Sequence, residues 1–303
     1  MKQAKPLLAG IAAQLLFGFT MFFIKRGMAA VQYDTIKYLA FRYMVGFLCM
    51  TLLIALGIFK VNFRGKTVKY ALLCGLFNPV ISQVLETTST NYAPTAQIAM
   101  FASLGPIVVV ILGVLLFHEK TTRAGVAFCA LSVFGVFLTS IGPMEGSTTI
   151  GLVLIVLMLF AVAFGRIFLR EARLSLTAFE AVYITTAMGA VAFTATTLIQ
   201  HTVRGDLSTF FVGLGTADFI VPVLYMGICS CVIAFSLMAY SATCLPVEVY
   251  AALNTIYTVV SMMVGAFVLH EKLEVLDIVG TAVILCGVLG AAWSGKPKPK
   301  LES

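Results

Sequence analysis

Charge is what this chain has least of. Only 11 % of its 303 residues are Asp, Glu, Lys or Arg, with three histidines and a single tryptophan. Soluble domains carry about 25 % charged residues, so an ordinary water-facing surface cannot be built from this composition. Motifs of chemistry are missing as well. There is no His-Glu-x-x-His, no Gly-x-Ser-x-Gly and no Gly-rich phosphate loop ending in Lys-Ser/Thr, which argues against an enzyme. No filter-like segment or charged ring points to a channel. His118, His201 and His270 all lie near the ends of apolar runs, so no metal site is expected, and nothing implies a cofactor. Cys229 and Cys231 stand one residue apart, which matches neither redox nor zinc spacing. All seven cysteines fall in or beside apolar runs and read as reduced packing residues.

Apolar residues are what the chain has instead. They make up 60 % of it, and the mean hydropathy is +1.03. A membrane-spanning helix needs about 20 predominantly apolar residues, so ten such helices would use roughly two thirds of the chain and leave no room for a folded soluble domain. The +7 net charge then belongs to membrane orientation, not to nucleic-acid binding. Breaks where charge, Pro, Gly and Asn cluster predict spans at 6–25, 37–59, 68–90, 94–117, 122–140, 149–170, 175–200, 218–242, 246–269 and 274–293. Backbone groups in lipid must be satisfied within the segment or a closed barrel, so the expected fold is an all-α integral membrane protein. The first run is too long for a signal-peptide core and reads as a retained span.

The chain also repeats itself. Pro94 and His118-Glu119-Lys120 recur at Pro246 and His270-Glu271-Lys272, and the same offset of 152 relates Gly113 to Gly265 and Gly135-Val136 to Gly287-Val288. The reading is two five-helix units, 1–145 and 146–295, with a cytoplasmic tail at 296–303. An odd number of spans per unit makes the second unit enter the membrane from the opposite side. The repeats are therefore expected to be inverted, as in many secondary transporters. Basic residues agree: 14 of the 20 fall on the side of the N-terminus, which places both termini in the cytoplasm by the positive-inside rule.

The run from Leu15 to Lys25 (Leu-Leu-Phe-Gly-Phe-Thr-Met-Phe-Phe-Ile-Lys), Arg42 early in span 2, and the helix ends Phe117-His118-Glu119 and Leu269-His270-Glu271 resemble EamA-type members of the drug/metabolite transporter superfamily. This chain has His-Glu where that family often has Gly-Glu, and Phe17 where a Trp is frequent. The resemblance covers essentially the whole chain. It implies an inverted 5+5 carrier in the cytoplasmic (inner) membrane, with small organic solutes passing between spans 1–4 and 6–9.

Polar residues inside spans turn toward neighbouring helices or a wet cavity. In span 3, Gly75, Asn78, Ser82, Glu86 and Ser89 share one helical face, and in span 9 so do Tyr250, Asn254, Tyr257, Ser261 and Gly265. Span 1 offers Gln14 and span 8 offers Tyr225. The expected solute-binding set is Gln14, Asn78, Ser82, Tyr225, Tyr250, Asn254 and Tyr257; the bland reading of the same residues is interhelical packing. Pro79 and Pro106 remove backbone donors and are candidate hinges. Arg42 and Glu86 both lie one to two turns inside one face and are expected to pair, serving coupling or gating, with a proton as the coupling ion. The solute expected is an amino acid or a similar amphiphile. Efflux of hydrophobic drugs and a non-transporting receptor remain as alternatives.

Overall fold

The computed structural model describes residues 4–117, 122–141, 147–211, 214–245 and 247–294. Among these residues the chain forms ten helical rods and no strand. They are α1 (Ala4–Ala30), α2 (Thr35–Ala55), α3 (Lys69–Gly75, Leu76–Ile81 and Ser82–Ser89), α4 (Thr95–Ala102 and Gly105–Phe117), α5 (Arg123–Ile141), α6 (Thr149–Ala172), α7 (Ala178–Arg204), α8 (Ala217–Leu224, Tyr225–Ala234 and Phe235–Cys244), α9 (Val247–Phe267) and α10 (Val275–Ser294). Five are long and apolar enough to cross a bilayer: α1, α2, α6, α7 and the stretch Ala217–Met238 of α8. Shorter apolar stretches run through α4, α5, α9 and α10. In α3, Asn78, Ser82, Gln83 and Glu86 dilute the apolar character. Large apolar side chains face outward, among them Leu48, Leu52 and Leu56 on α2 and Ile199 and Val203 on α7, which is how a helix surface meets lipid.

Local chemistry sets the rod ends. The Asp34 carboxylate accepts from the Lys37 amide at 3.1 Å and starts α2. Thr177 and Glu180 form a reciprocal capping box at the head of α7, and Gly205, at φ +71°, ends it in the left-handed region where a Cβ is penalised. The first rod outruns its predicted end at 25 by about a turn, because nothing between Lys25 and Ala30 breaks the helix before Gln32 and Tyr33 adopt positive φ.

Packing follows a pattern of exchange. α5 lies along α10 and α2 along α7; α1 against α8 is matched by α6 against α3, and α1 against α9 by α6 against α4. Swapping each rod with the one five places along maps these contacts onto themselves. The α5–α10 seam shows it at atomic scale. A Cβ on Gly135 would meet the Gly280 carbonyl and Ile284 at 2.8 Å, and one on Gly287 would meet the Phe128 carbonyl at 2.6 Å and press still closer on Ser132 Oγ. Those neighbours are themselves related by the offset of 152, and Ser132 Oγ donates across the seam to the Ile284 carbonyl at 3.1 Å. The later half of α5 meets the earlier half of α10, so the two helices run antiparallel.

Gly287→Ala is expected to force the backbones of α5 and α10 apart and to destabilise the protein by about 1–3 kcal/mol, read as a lowered apparent Tm in detergent. Gly215→Ala, where a Cβ meets open space, is the control and should leave Tm within a degree or so.

Candidate functional site

The buried interior where α2, α3, α8 and α9 meet carries the charged residues. Arg42, only 5 % exposed, projects from α2 and donates from Nη1 to Gln83 Oε1 at 2.7 Å. The Gln83 amide nitrogen in turn donates to the Glu86 carboxylate. Gln83 thus stands between the two residues expected from the sequence to pair, and they are joined through its amide. That assignment of the amide is forced, since a guanidinium only donates and a carboxylate only accepts. The guanidinium lies 5.3 Å from the centre of the Tyr43 ring, and the Cys231 thiol of α8 lies against it. Tyr257 of α9 is within electrostatic reach of Glu86. Arg42 Nε is buried with no hydrogen-bond partner.

Two rods depart from α-helical winding beside this cluster. Leu76–Ile81 in α3 and Tyr225–Ala234 in α8 wind as π-helix, and α3 and α8 are equivalent rods of the two repeats. Such segments recur at functional sites because the wider turn frees backbone groups. In α3 the departure follows from Pro79, which has no N–H to give; Asn78 leaves helical geometry (φ −142°, ψ 103°) and the Asn78–Pro79 bond is cis.

The other candidates are dispersed. Asn78 packs its Cβ against Gly165 of α6, and its Oδ1 accepts from the fully buried Ser82 at 3.0 Å. Tyr225 donates to the Leu16 carbonyl at 2.7 Å and stacks on Phe23 at 3.9 Å, tying α8 to α1. Gln14 is buried and reaches Met238 Sδ at 3.9 Å. α4 is interrupted just before Pro106, between Ala102 and Gly105. The side chains of Pro106, Tyr250 and Asn254 lie outside the described residues. A cavity of about 130 Å³ lies between α2, α7 and α8. Its walls include Met50, Phe59, Phe179, Val182 and Phe235, and Cys231 is shared with the charged cluster.

At the end of the bundle holding Lys25, one carboxylate joins three rods. Glu271, in the α9–α10 connection, accepts from the Thr95 and Ala96 amides at 2.9 and 3.2 Å and pairs with Lys25 Nζ at 2.5 Å. A residue of the second repeat therefore caps α4 of the first. The helix that follows Glu271 has a cap of its own: at the start of α10 the Asp277 carboxylate accepts from the Glu274 amide at 2.9 Å. Burial pushes the Glu271 carboxyl up, but Lys25 and the two amides outweigh it, and the net direction is down. Nearby, Arg26 of α1 pairs with Asp218 of α8 at 2.6 Å, and Lys37 of α2 donates to the Thr209 carbonyl at 2.7 Å.

A bundle of apolar rods in two interchangeable halves, with buried charge in its interior, is the architecture of a membrane transporter. The model of the EamA-like transporter family matches residues 4–141 and again 149–293, and the chain belongs to that family. It is 25 % identical over 302 residues to the uncharacterized transporter YcxC of Bacillus subtilis (strain 168), covering 99 % of this chain and 96 % of the relative. A solved crystal structure, described only as that of a protein, is similar in fold, with a TM-score of 0.61 at 16 % identity over 95 % of this chain and 96 % of the other. The chain is a multi-pass membrane transporter.

The depressed proton affinity of Glu271 has a defined consequence for stability. A carboxylate held below its ordinary range stabilises the fold fully above that range, about pH 4.3 for Glu, and the contribution disappears as pH falls through its lowered value. Glu271→Ala should cost about 1–2 kcal/mol at neutral pH, the worth of a lost cap. The gap in apparent Tm between it and the parent should narrow steadily below pH 4.3.

Proposed function

We propose that the protein is a secondary carrier that moves a small amphiphilic organic solute, an amino acid or a close analogue, across the cytoplasmic membrane by alternating access. In this reading all ten rods are spans, the units 1–145 and 146–295 are inverted repeats, and both termini and the tail 296–303 are cytoplasmic. The observation that carries it is the reciprocal seam of α5 and α10, where antiparallel helices meet through residues related by one offset. For two crossing helices, a two-fold relation with antiparallel direction puts the axis in the membrane plane. That supports inverted repeats, in which each half can adopt the arrangement of the other.

On this assignment the contacts of Glu271, Arg26–Asp218 and Lys37–Thr209 lie on the external side and hold it shut, while the 130 Å³ cavity lies toward the cytoplasm. Arg42, Gln83, Glu86 and Tyr257 line the solute site at the meeting of the two repeats. Gln14, Asn78, Ser82, Tyr225, Tyr250 and Asn254 complete the path, and Pro79 and Pro106 are its hinges. Glu86 exchanges the coupling proton, since it is the acidic group placed deepest in the described cluster.

Solute counterflow in proteoliposomes tests the carrier reading. Vesicles loaded with unlabelled solute should accumulate labelled solute transiently, and Glu86→Gln should lower accumulation driven by a proton gradient at least tenfold more than it lowers counterflow. A protein that binds solute but never exchanges it would be a receptor, and Glu86→Gln with intact proton-driven accumulation would remove Glu86 from coupling.

A further inference from the structure

Gln83 is the residue that joins the two charges of the buried cluster. Its amide presents two groups at once: a carbonyl oxygen accepting from a buried guanidinium and an NH2 donating to a carboxylate. Any molecule able to replace it must show the same pair, an acceptor toward Arg42 and a donor toward Glu86, on neighbouring atoms. In an amide the oxygen and nitrogen share one carbon; in an α-amino acid the carboxylate and the ammonium sit on adjacent carbons, and both are charged. Replacement would therefore exchange two hydrogen bonds in which one partner is neutral for two in which both partners are charged, which are stronger.

The remaining part of such a molecule also has a place. Cys231 lies against the guanidinium and forms one wall of the 130 Å³ cavity, whose other walls are Met50, Ala178, Val182, Phe235, Ser236 and the stacked pair Phe59–Phe179 at 4.1 Å. Cys231 thus stands between the Arg42 guanidinium and a space of the size of a short side chain.

We propose that the Gln83 amide is an internal stand-in for the solute and that the site takes a zwitterionic α-amino acid with a short apolar side chain. The carboxylate binds Arg42, the ammonium binds Glu86, and the side chain occupies the cavity beyond Cys231. Gln83 is then the specificity-determining residue: it keeps the buried guanidinium and carboxylate partnered while the site is empty, and it competes with the solute. This rests on the carrier reading, which it deepens by naming the solute class.

Thermal shift of the purified full chain with alanine, valine, leucine and methionine tests the assignment apart from transport. One or more of the four should raise the apparent Tm in a saturable way. For that amino acid, its N-acetyl derivative, which lacks the ammonium, and its amide, which lacks the carboxylate, should produce no shift at tenfold higher concentration. Gln83→Ala removes the competitor and should tighten the apparent Kd about tenfold, whereas Gln83→Glu pairs Arg42 permanently, faces Glu86 with like charge and should abolish binding. Should the alanine variant not purify, Gln83→Asn, too short to bridge both partners, serves the same comparison. The proposal is overturned if none of the four binds, if the derivatives bind as well as the parent, or if shortening Gln83 weakens binding. Counterflow of some other solute by a protein indifferent to these amino acids would remove the solute class and leave the carrier reading standing.

Discussion

Hydrocarbon offers no hydrogen bonds, and each polar group inside the bundle must be answered by another. The structure is organised by that constraint. Arg42 and Glu86 are held apart yet partnered through one amide, Ser82 answers Asn78, and Tyr225 answers a carbonyl of α1. The π-wound stretches of α3 and α8 border this polar interior through the buried Pro79, Ser230 and Cys231, while Leu76, Ile81 and Ile233 on the same stretches face outward.

The same constraint makes the seam between the repeats matter. α5 and α10 approach closely because Gly135 and Gly287 let one backbone rest on the other, and dispersion with a single serine bond holds them where a hydrophobic force between helices is absent. Contacts between the other rods come in exchanged pairs, so a shift in one repeat has an equivalent in the other. Charge contacts at the Lys25 end also cross between repeats: Glu271 reaches α4, and Arg26 reaches Asp218. These are a few partly exposed bonds, each of modest worth, which a small free-energy change can release.

Much of this was legible in the sequence. The apolar runs separated by charge and Gly foretold the rods to within a few residues, and the offset of 152 foretold which rods exchange. Arg42 and Glu86 stood out because charge at that depth is costly. Gln83 did not, because the face drawn through Asn78, Ser82 and Glu86 passes it by, although it stands three residues before Glu86 within the helix Ser82–Ser89. The cap that Glu271 places on α4 was hidden for another reason: the partners are 176 residues apart in the chain, and local pattern carries no information about such a contact.

The proposed alternating access depends on two halves sitting upside down relative to each other in the membrane. Single cysteines introduced as His118→Cys and His270→Cys in an otherwise cysteine-free chain, probed in intact cells with a membrane-impermeant thiol reagent, address this directly. Position 270 should label from outside, and position 118 only after the membrane is opened. Labelling of both from the same side would contradict inverted repeats and the alternating-access mechanism built on them.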